Sequence, residues 1–283
     1  MTDQTFSTTN HFSASLYDSA RRPPAMLEEL MQVWRYRDLL TQLIERNIKV
    51  RYKRSVLGVA WTLLNPLLMM SILTLVFFNV FRVSLEHYPV YVLSALILWN
   101  FFAQTTTIAM NELVWGGDLF HRIYVPRTAF TLSAVGTGMV NLLLGLAPLT
   151  LIMVTTGVSL RPALVVLPIA ILLTAMFTLG VSLFLSMLAV YFTDVLDISQ
   201  IVLTAWMYLT PIIYPKEIVP MQFQWLFNLN PMYHLLELFR TPIYAGVLPS
   251  LETLAAAGTS AVSALLVGWW LFARKADEFA YRV

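Results

Sequence analysis

The sequence predicts an all-α polytopic membrane protein with six transmembrane helices, and three observations predict it. First, six charge-free intervals follow one another: Ser55–Phe81, Tyr88–Asn111, Thr128–Leu160, Pro162–Thr193, Ile198–Pro215 and Thr253–Ala273, each of 18 residues or more. A helix of about 20 residues, rising about 1.5 Å per residue, crosses a hydrocarbon core of roughly 30 Å. Second, 58% of the 283 residues are hydrophobic and only 12% are charged, with a mean hydropathy of +0.69. A water-soluble surface takes about twice that share of charge, so the composition excludes a soluble enzyme. Third, the charges are segregated. Fourteen of the 18 Lys and Arg residues fall on one side of the six intervals, and only Arg82, Arg161, Lys216 and Arg240 fall on the other. The side rich in Lys and Arg stays in the cytoplasm, which places both termini there.

Taken in order, residues 1–25 are polar and end in Arg21-Arg22-Pro23-Pro24, which reads as a flexible cytosolic tail without the apolar core of a signal peptide. Residues 26–54 read as an amphipathic interfacial helix. Tyr36, Leu40, Leu43, Ile44 and Ile48 make one stripe, and Asp38, Thr41, Gln42, Glu45, Arg46 and Lys49 fall opposite. Such a helix lies along a membrane surface or docks on a partner. The basic run Arg51, Lys53, Arg54 then leads straight into the first interval, whose 27 residues outspan the hydrocarbon core.

Within a transmembrane domain of residues 55–273, the spans are assigned to 55–81, 88–111, 128–156, 165–193, 198–215 and 253–273. Residues 112–127 form the one sizeable cytoplasmic loop, and residues 274–283 the cytosolic C-terminus. Residues 216–252 are too long for a turn. They are rich in Leu, Phe, Trp, Tyr and Met and are divided by Pro220, Pro231, Pro242 and Pro249. Apolar pieces of about ten residues are too short to span and read as re-entrant or interfacial helices.

The chemistry is sparse. There is no cysteine, hence no disulfide framework and no thiolate metal site. No Gly-x-x-x-x-Gly-Lys-Ser/Thr occurs, so the chain has no phosphate loop of its own. His11, His87, His121 and His234 are scattered, and no metal site is expected. Asp194 and Asp197 resemble an acidic pair, but a short polar turn between spans gives the same pattern. No acid or base stands mid-span, so no proton relay is visible. A protein that moves cargo with neither a motor nor a charge pathway needs an external motor. Aromatic residues near span ends, Trp61 among them, fit interfacial belts. Phe77, Phe78, Trp206 and Tyr208 lie deeper, where aromatic faces either pack against helices or serve sugars as platforms.

Three separated motifs resemble a known family. They are Arg51-Tyr52-Lys53-Arg54-Ser55-Val56-Leu57-Gly58 with Trp61 and Leu64-Asn65-Pro66; Tyr124-Val125-Pro126-Arg127; and Thr210-Pro211-Ile212-Ile213-Tyr214-Pro215 with Ile218-Val219-Pro220, Asn230-Pro231 and Phe239-Arg240. From about Leu39 onward the chain is similar to permease subunits of ABC-2-type exporters, in the branch that exports O-antigen, teichoic acid or capsule.

The resemblance implies a homodimer bound to two copies of a separate nucleotide-binding ATPase subunit. ATP and Mg would be bound by that subunit, with no cofactor in this chain and no nucleic acid among its partners. It implies coupling through Arg122, Tyr124, Val125, Pro126 and Arg127. It implies a channel walled by spans one and five, for which Trp61, Phe77, Phe78, Trp206 and Tyr208 are the candidate lining. It implies an outer gate carrying Tyr214, Pro215, Pro220, Asn230, Pro231 and Arg240. The expected cargo is an O-antigen-type polysaccharide on an undecaprenyl carrier, crossing the bacterial inner membrane. Arg46, Lys49, Arg51, Lys53 and Arg54 lie where a pyrophosphate headgroup would approach, with attraction of about 1 kcal/mol per basic residue; topology alone explains the same cluster. The alternatives are a related exporter of teichoic acid, a small lipid or a drug, and a membrane-embedded glycosyl- or acyltransferase using Asp194 and Asp197.

Overall fold

The computed structural model describes residues 25–53, 58, 60–79, 86–115 and 126–275, and among them there is no strand. The α-helices are α1 (Ala25–Arg35), α2 (Arg37–Tyr52), α3 (Ala60–Asn79), α4 (Tyr88–Trp115), α5 (Thr128–Thr155), α6 (Leu167–Tyr191), α7 (Val195–Leu209), α8 (Trp225–Leu229), α9 (Pro231–Tyr244) and α10 (Leu251–Lys275). Short 3-10 turns at Pro162–Val166, Lys216–Ile218 and Met221–Phe223 join some of them. By length and composition α3, α4, α5, α10 and the run Pro162–Tyr191 are each able to cross a membrane. The chain is a multi-pass, all-α membrane protein.

The fifth expected span, 198–215, differs. Its helix α7 has 15 residues; at about 1.5 Å per residue it falls short of a core of roughly 30 Å. The reason is local. Thr210 precedes Pro211, and the proline ring pushes its predecessor out of the helical region. Thr210 accordingly adopts φ −100° and ψ 134°. The chain then turns through 3-10 elements and α8 and runs back as α9, whose Leu235, Leu238, Phe239 and Ile243 are fully buried. Both ends of the 210–244 segment, residues 210–215 and α9, thus pack inward, while most of residues 216–229 between them are exposed.

Helix α4 is the axis of the molecule. In an apolar 18-residue stretch of α4 72% of the residues are buried, against 11% in such a stretch of α3 and 17% in one of α10. It packs against α3, α5, α6, α7 and α9. Burial on most sides explains why α4 is apolar over most of its surface rather than amphipathic in the way of a surface helix. Helices α6 and α10 pack backbone to backbone: a Cβ on Gly180 would overlap the Ala264 carbonyl, and one on Gly268 would overlap the Gly180 carbonyl. Small residues permit such close approach where lipid supplies no hydrophobic force between helices. Helices α3 and α7 are peripheral and leave much of their surface uncovered, including Leu68, Ile72 and Leu75 on α3 and Ile198, Ile201 and Val202 on α7.

Tyr36 separates α1 from α2. The apolar stripe of α2 faces the protein: Leu43 is buried, Leu40, Ile44 and Ile48 are half-buried, and Asp38, Thr41, Gln42, Glu45, Arg46 and Lys49 are all exposed. Ile44 seats against Gly136 of α5, where a Cβ would overlap its side chain. Hydrogen bonds then tie this end together. Asn47 Nδ2 donates to Glu112 Oε1 at 2.7 Å, Ser133 Oγ donates to Glu112 Oε2 at 3.2 Å, and Thr128 Oγ1 donates to Glu29 Oε2 at 2.6 Å. The N-terminal helices are therefore fastened to the end of α4 and the start of α5, the two elements between which residues 116–125 lie in the sequence.

Candidate functional site

Uncharged polar residues recur inside the spans at helical spacing. On α4, Asn100, Gln104, Thr107 and Asn111 follow one another at steps of four, three and four. On α7, Gln200, Thr204 and Tyr208 do so at steps of four. Such steps place the side chains of each set on one face. The two faces meet across a groove of about 450 Å³ to which Gln104, Thr107, Gln200 and Thr204 contribute the polar surface. Gln104, Gln200 and Thr204 are exposed there. The Thr107 hydroxyl bonds the Ala103 carbonyl at 2.9 Å and the Thr204 hydroxyl bonds the Gln200 carbonyl at 2.8 Å, within their own helices. A hydroxyl that donates backward in this way keeps lone pairs for another partner. Amide groups facing hydrocarbon without partners cost several kcal/mol each. Uncharged amides and hydroxyls gathered on a shared groove inside apolar spans mark that groove as wet or filled by polar cargo.

The 210–244 segment is built on the opposite logic, because its polar groups are turned on one another. Its backbone between Thr210 and Tyr214 is irregular, and neighbouring side chains capture the carbonyls left without helical partners. Tyr88 donates its hydroxyl to the Ile213 carbonyl at 2.7 Å, and Tyr91 donates to the Tyr214 carbonyl at 3.0 Å. Arg240, 4% exposed, donates to the Pro211 carbonyl at 2.8 Å and pairs with Glu237. Its guanidinium also lies 3.9 Å from the centre of the Tyr91 ring. A buried arginine is tolerated only when paired and hydrogen-bonded in this manner.

Asn230 is the second knot. It accepts from Trp206 Nε1 at 2.8 Å, donates to Thr210 Oγ1 at 2.9 Å and caps α9 by accepting from the Met232 amide at 3.1 Å. Pro231 stands at the first turn of that helix, where its missing N–H is harmless. Lys216 is held above the ordinary lysine range by Tyr233 beside it, while burial pushes the Tyr233 phenol up. Beneath the segment, Trp206, Tyr214, Phe223 and Phe227 help line an apolar cavity of about 340 Å³.

These contacts gather Tyr214, Asn230, Pro231 and Arg240 of the expected gate into one cluster, with Pro215 buried beside it and Pro220 exposed on its far side. The expected aromatic lining is dispersed. Trp206 meets Trp99, Phe102 and Phe177 edge-on, with ring centres 6.2, 5.3 and 6.3 Å away. Phe77 stacks on Tyr88 with ring centres 6.1 Å apart. Tyr208 is 57% exposed and Trp61 50% exposed. At the other end, Arg46, Lys49 and Lys53 are exposed, and Lys49 pairs with Glu45 one turn away. Pro126 is buried and Arg127 half-buried at the start of α5. Arg54, Arg122, Tyr124 and Val125 lie outside the described residues, as do the side chains of Arg51 and Phe78. Asp194 and Asp197 are exposed at the beginning of α7, where the positive end of the helix dipole favours acids.

Sequence reasoning missed Tyr88, Tyr91 and Glu237 of the cluster, and Gln104, Gln200 and Thr204 of the groove. The groove had a readable signal, namely polar residues four apart inside apolar spans. The tyrosines had none, because their partners lie more than 120 residues away along the chain.

Comparison with known proteins agrees with this architecture. Residues 38–244 match the family described as ABC-2 type transporter. The chain is 28% identical over 257 residues to the O-antigen export system permease protein RfbA of Myxococcus xanthus, covering 90% of this chain and 99% of that protein. It is 29% identical over 214 residues to a protein of the same name from Klebsiella pneumoniae, covering 75% and 82%. The family match takes in α4, the polar groove and the whole 210–244 segment, and the chain belongs to the ABC-2 type transporter family.

Proposed function

We propose that this chain is the channel-forming permease subunit of an ATP-driven exporter that moves a lipid-linked, O-antigen-type polysaccharide across the bacterial inner membrane. Two copies work with two copies of a separate ATPase subunit, which binds ATP and Mg, and this chain performs no catalysis itself. Both termini face the cytoplasm. The relatives named for O-antigen export support the cargo class. The single observation that carries the reading is the row Gln104, Thr107, Gln200 and Thr204, uncharged and facing a groove inside apolar spans. Hydroxyl-rich sugars need donors and acceptors without fixed charge, and amides and hydroxyls supply both.

In this reading the Arg122–Arg127 region receives the motion of the ATPase. The Asn47–Glu112–Ser133 and Thr128–Glu29 bonds then carry that motion into α1, α2, α4 and α5. The basic residues Arg46, Lys49, Arg51, Lys53 and Arg54 meet the diphosphate headgroup of an undecaprenyl carrier. The 210–244 cluster gates the exit.

The test is genetic. Cells lacking this chain are expected to lose surface polysaccharide and accumulate lipid-linked polymer inside, and to recover export when the chain is restored together with its ATPase partner. Restored export alongside a partner whose phosphate-loop lysine is removed would overturn the ATP-driven reading. Undiminished surface polymer in the deletion strain would overturn the cargo.

A further inference from the structure

A second polar recess lies between α3, α4 and α5, on the other side of Gln104 from the groove described above. Its polar surface comes from Thr62 and Asn65 of α3, Asn100, Gln104 and Thr105 of α4, and Asn141 of α5, with Trp61 also lining it. No lining residue carries a charge. Three features distinguish it from an ordinary polar contact between helices. Thr105 is 1% exposed, and its hydroxyl has no hydrogen-bond partner among the protein atoms. Gly138 stands against that hydroxyl, and any Cβ there would overlap Thr105 Oγ1. Trp61 is 50% exposed, so an indole face is available beside the amides.

A buried hydroxyl without a partner, inside a span, calls for a ligand that supplies one. The side-chain amides of Asn65 and Asn100 each carry two donors and an acceptor oxygen, which suits a hydroxyl that must both give and take. The absence of lining charge leaves nothing to balance an ionic ligand. The indole adds a broad apolar face with a polar tip, which matches the C–H patch of a sugar ring. The cavity measures about 60 Å³; since one water needs about 10–15 Å³ of such volume, it accepts roughly four to six hydroxyl-sized groups, the edge of a ring rather than a whole sugar.

We propose that the α3–α4–α5 recess is a subsite for an uncharged sugar unit of the cargo. Its amides and Thr105 grip vicinal hydroxyls while Trp61 covers the ring face. Gln104, which lines both recesses, hands the polymer to the α4–α7 groove. The inference rests on the exporter reading and adds to it a place and a chemistry of contact.

The chain contains no cysteine, so single-cysteine variants report on one position each. Gln104→Cys and Asn141→Cys are introduced separately into the full chain and expressed with its ATPase partner, with Asn65→Cys as the substitute if either fails to reach the membrane. A small water-soluble thiol reagent is applied to cells that make no polymer, and to cells that make it while ATP hydrolysis is blocked. The expected result is labelling in the first and its loss in the second. Equal labelling in both would show that the recess holds only water, and absence of labelling in both would show that it is dry; either overturns the proposal. The exporter reading is judged separately by deletion of the wild-type chain. If deletion abolishes surface polymer while the cysteines stay unprotected, the subsite alone fails; if deletion leaves surface polymer intact, the exporter reading fails.

Discussion

The 210–244 segment and the α4–α7 groove both place polar groups inside an apolar protein, yet they dispose of them in opposite ways. In the segment, Arg240, Glu237, Tyr88, Tyr91 and Asn230 are bonded to one another or to the irregular backbone they stabilise. In the groove, Gln200 and Thr204 face outward from a helix that would be intact without them. The difference separates structure from function within one set of residue types. Satisfied buried polar groups hold a fold, whereas polar groups left facing a groove in a membrane wait for water or cargo.

Substitutions on the two sides should therefore move different readouts. The largest expected effect on stability is that of Arg240→Ala. It strips Glu237 of its charged partner and removes the nearer of two donors to the Pro211 carbonyl, which keeps only the Tyr91 hydroxyl at 3.3 Å, costing about 3–5 kcal/mol. Thermal unfolding in detergent, followed by loss of the monodisperse peak, measures it; unchanged stability would break the 210–244 side of the comparison. Asn230→Ala comes next. It removes an acceptor for Trp206, a donor for Thr210 and the cap of α9, and a loss of about 2–3 kcal/mol is expected by the same measurement. Tyr91→Phe keeps the ring beneath Arg240 and removes only the hydroxyl, leaving a buried carbonyl short of a donor, for about 1–2 kcal/mol.

Glu112 sharpens the comparison at the other end of the molecule. Glu112→Gln retains an amide that serves both Asn47 and Ser133, whereas Glu112→Ala leaves both without a partner. Hydrogen exchange across residues 37–52 should rise in Glu112→Ala and stay near wild type in Glu112→Gln. Equal protection in the two would show that the link does not hold α2. The smallest expected stability effect belongs to Gln200→Leu with Thr204→Val, within about 0.5 kcal/mol, because these side chains support no other element.

What was legible in the sequence follows from the same division. Spans were readable because charge is excluded from hydrocarbon, so counting charge-free residues finds α3 to α6 and α10. The faces of α2 were readable because burial repeats with the helical period: Leu40, Leu43, Ile44 and Ile48 turn inward and Asp38, Glu45, Arg46 and Lys49 outward. The shortness of α7 was hidden, because Thr210–Pro215 is as free of charge as the helix before it. Only the Thr210-Pro211 step hints at the break. The polar rows were hidden by the same counting, since Asn100, Gln104, Gln200 and Thr204 carry no charge. The hydrogen bonds of the 210–244 cluster were not legible at all. Tyr88 and Ile213 meet only through the packing of α4 against the returning segment, and no local pattern encodes a pairing 125 residues apart.

The measurement that bears most directly on the central claim compares export with assembly in one strain. Cells carrying Gln200→Leu with Thr204→Val are assayed for surface polysaccharide at matched permease abundance and matched recovery of the ATPase partner, beside cells carrying Ile201→Leu on the neighbouring, equally exposed face of α7. Loss of export in the first and normal export in the second is the predicted result. Normal export in both would contradict the groove as the path of the cargo.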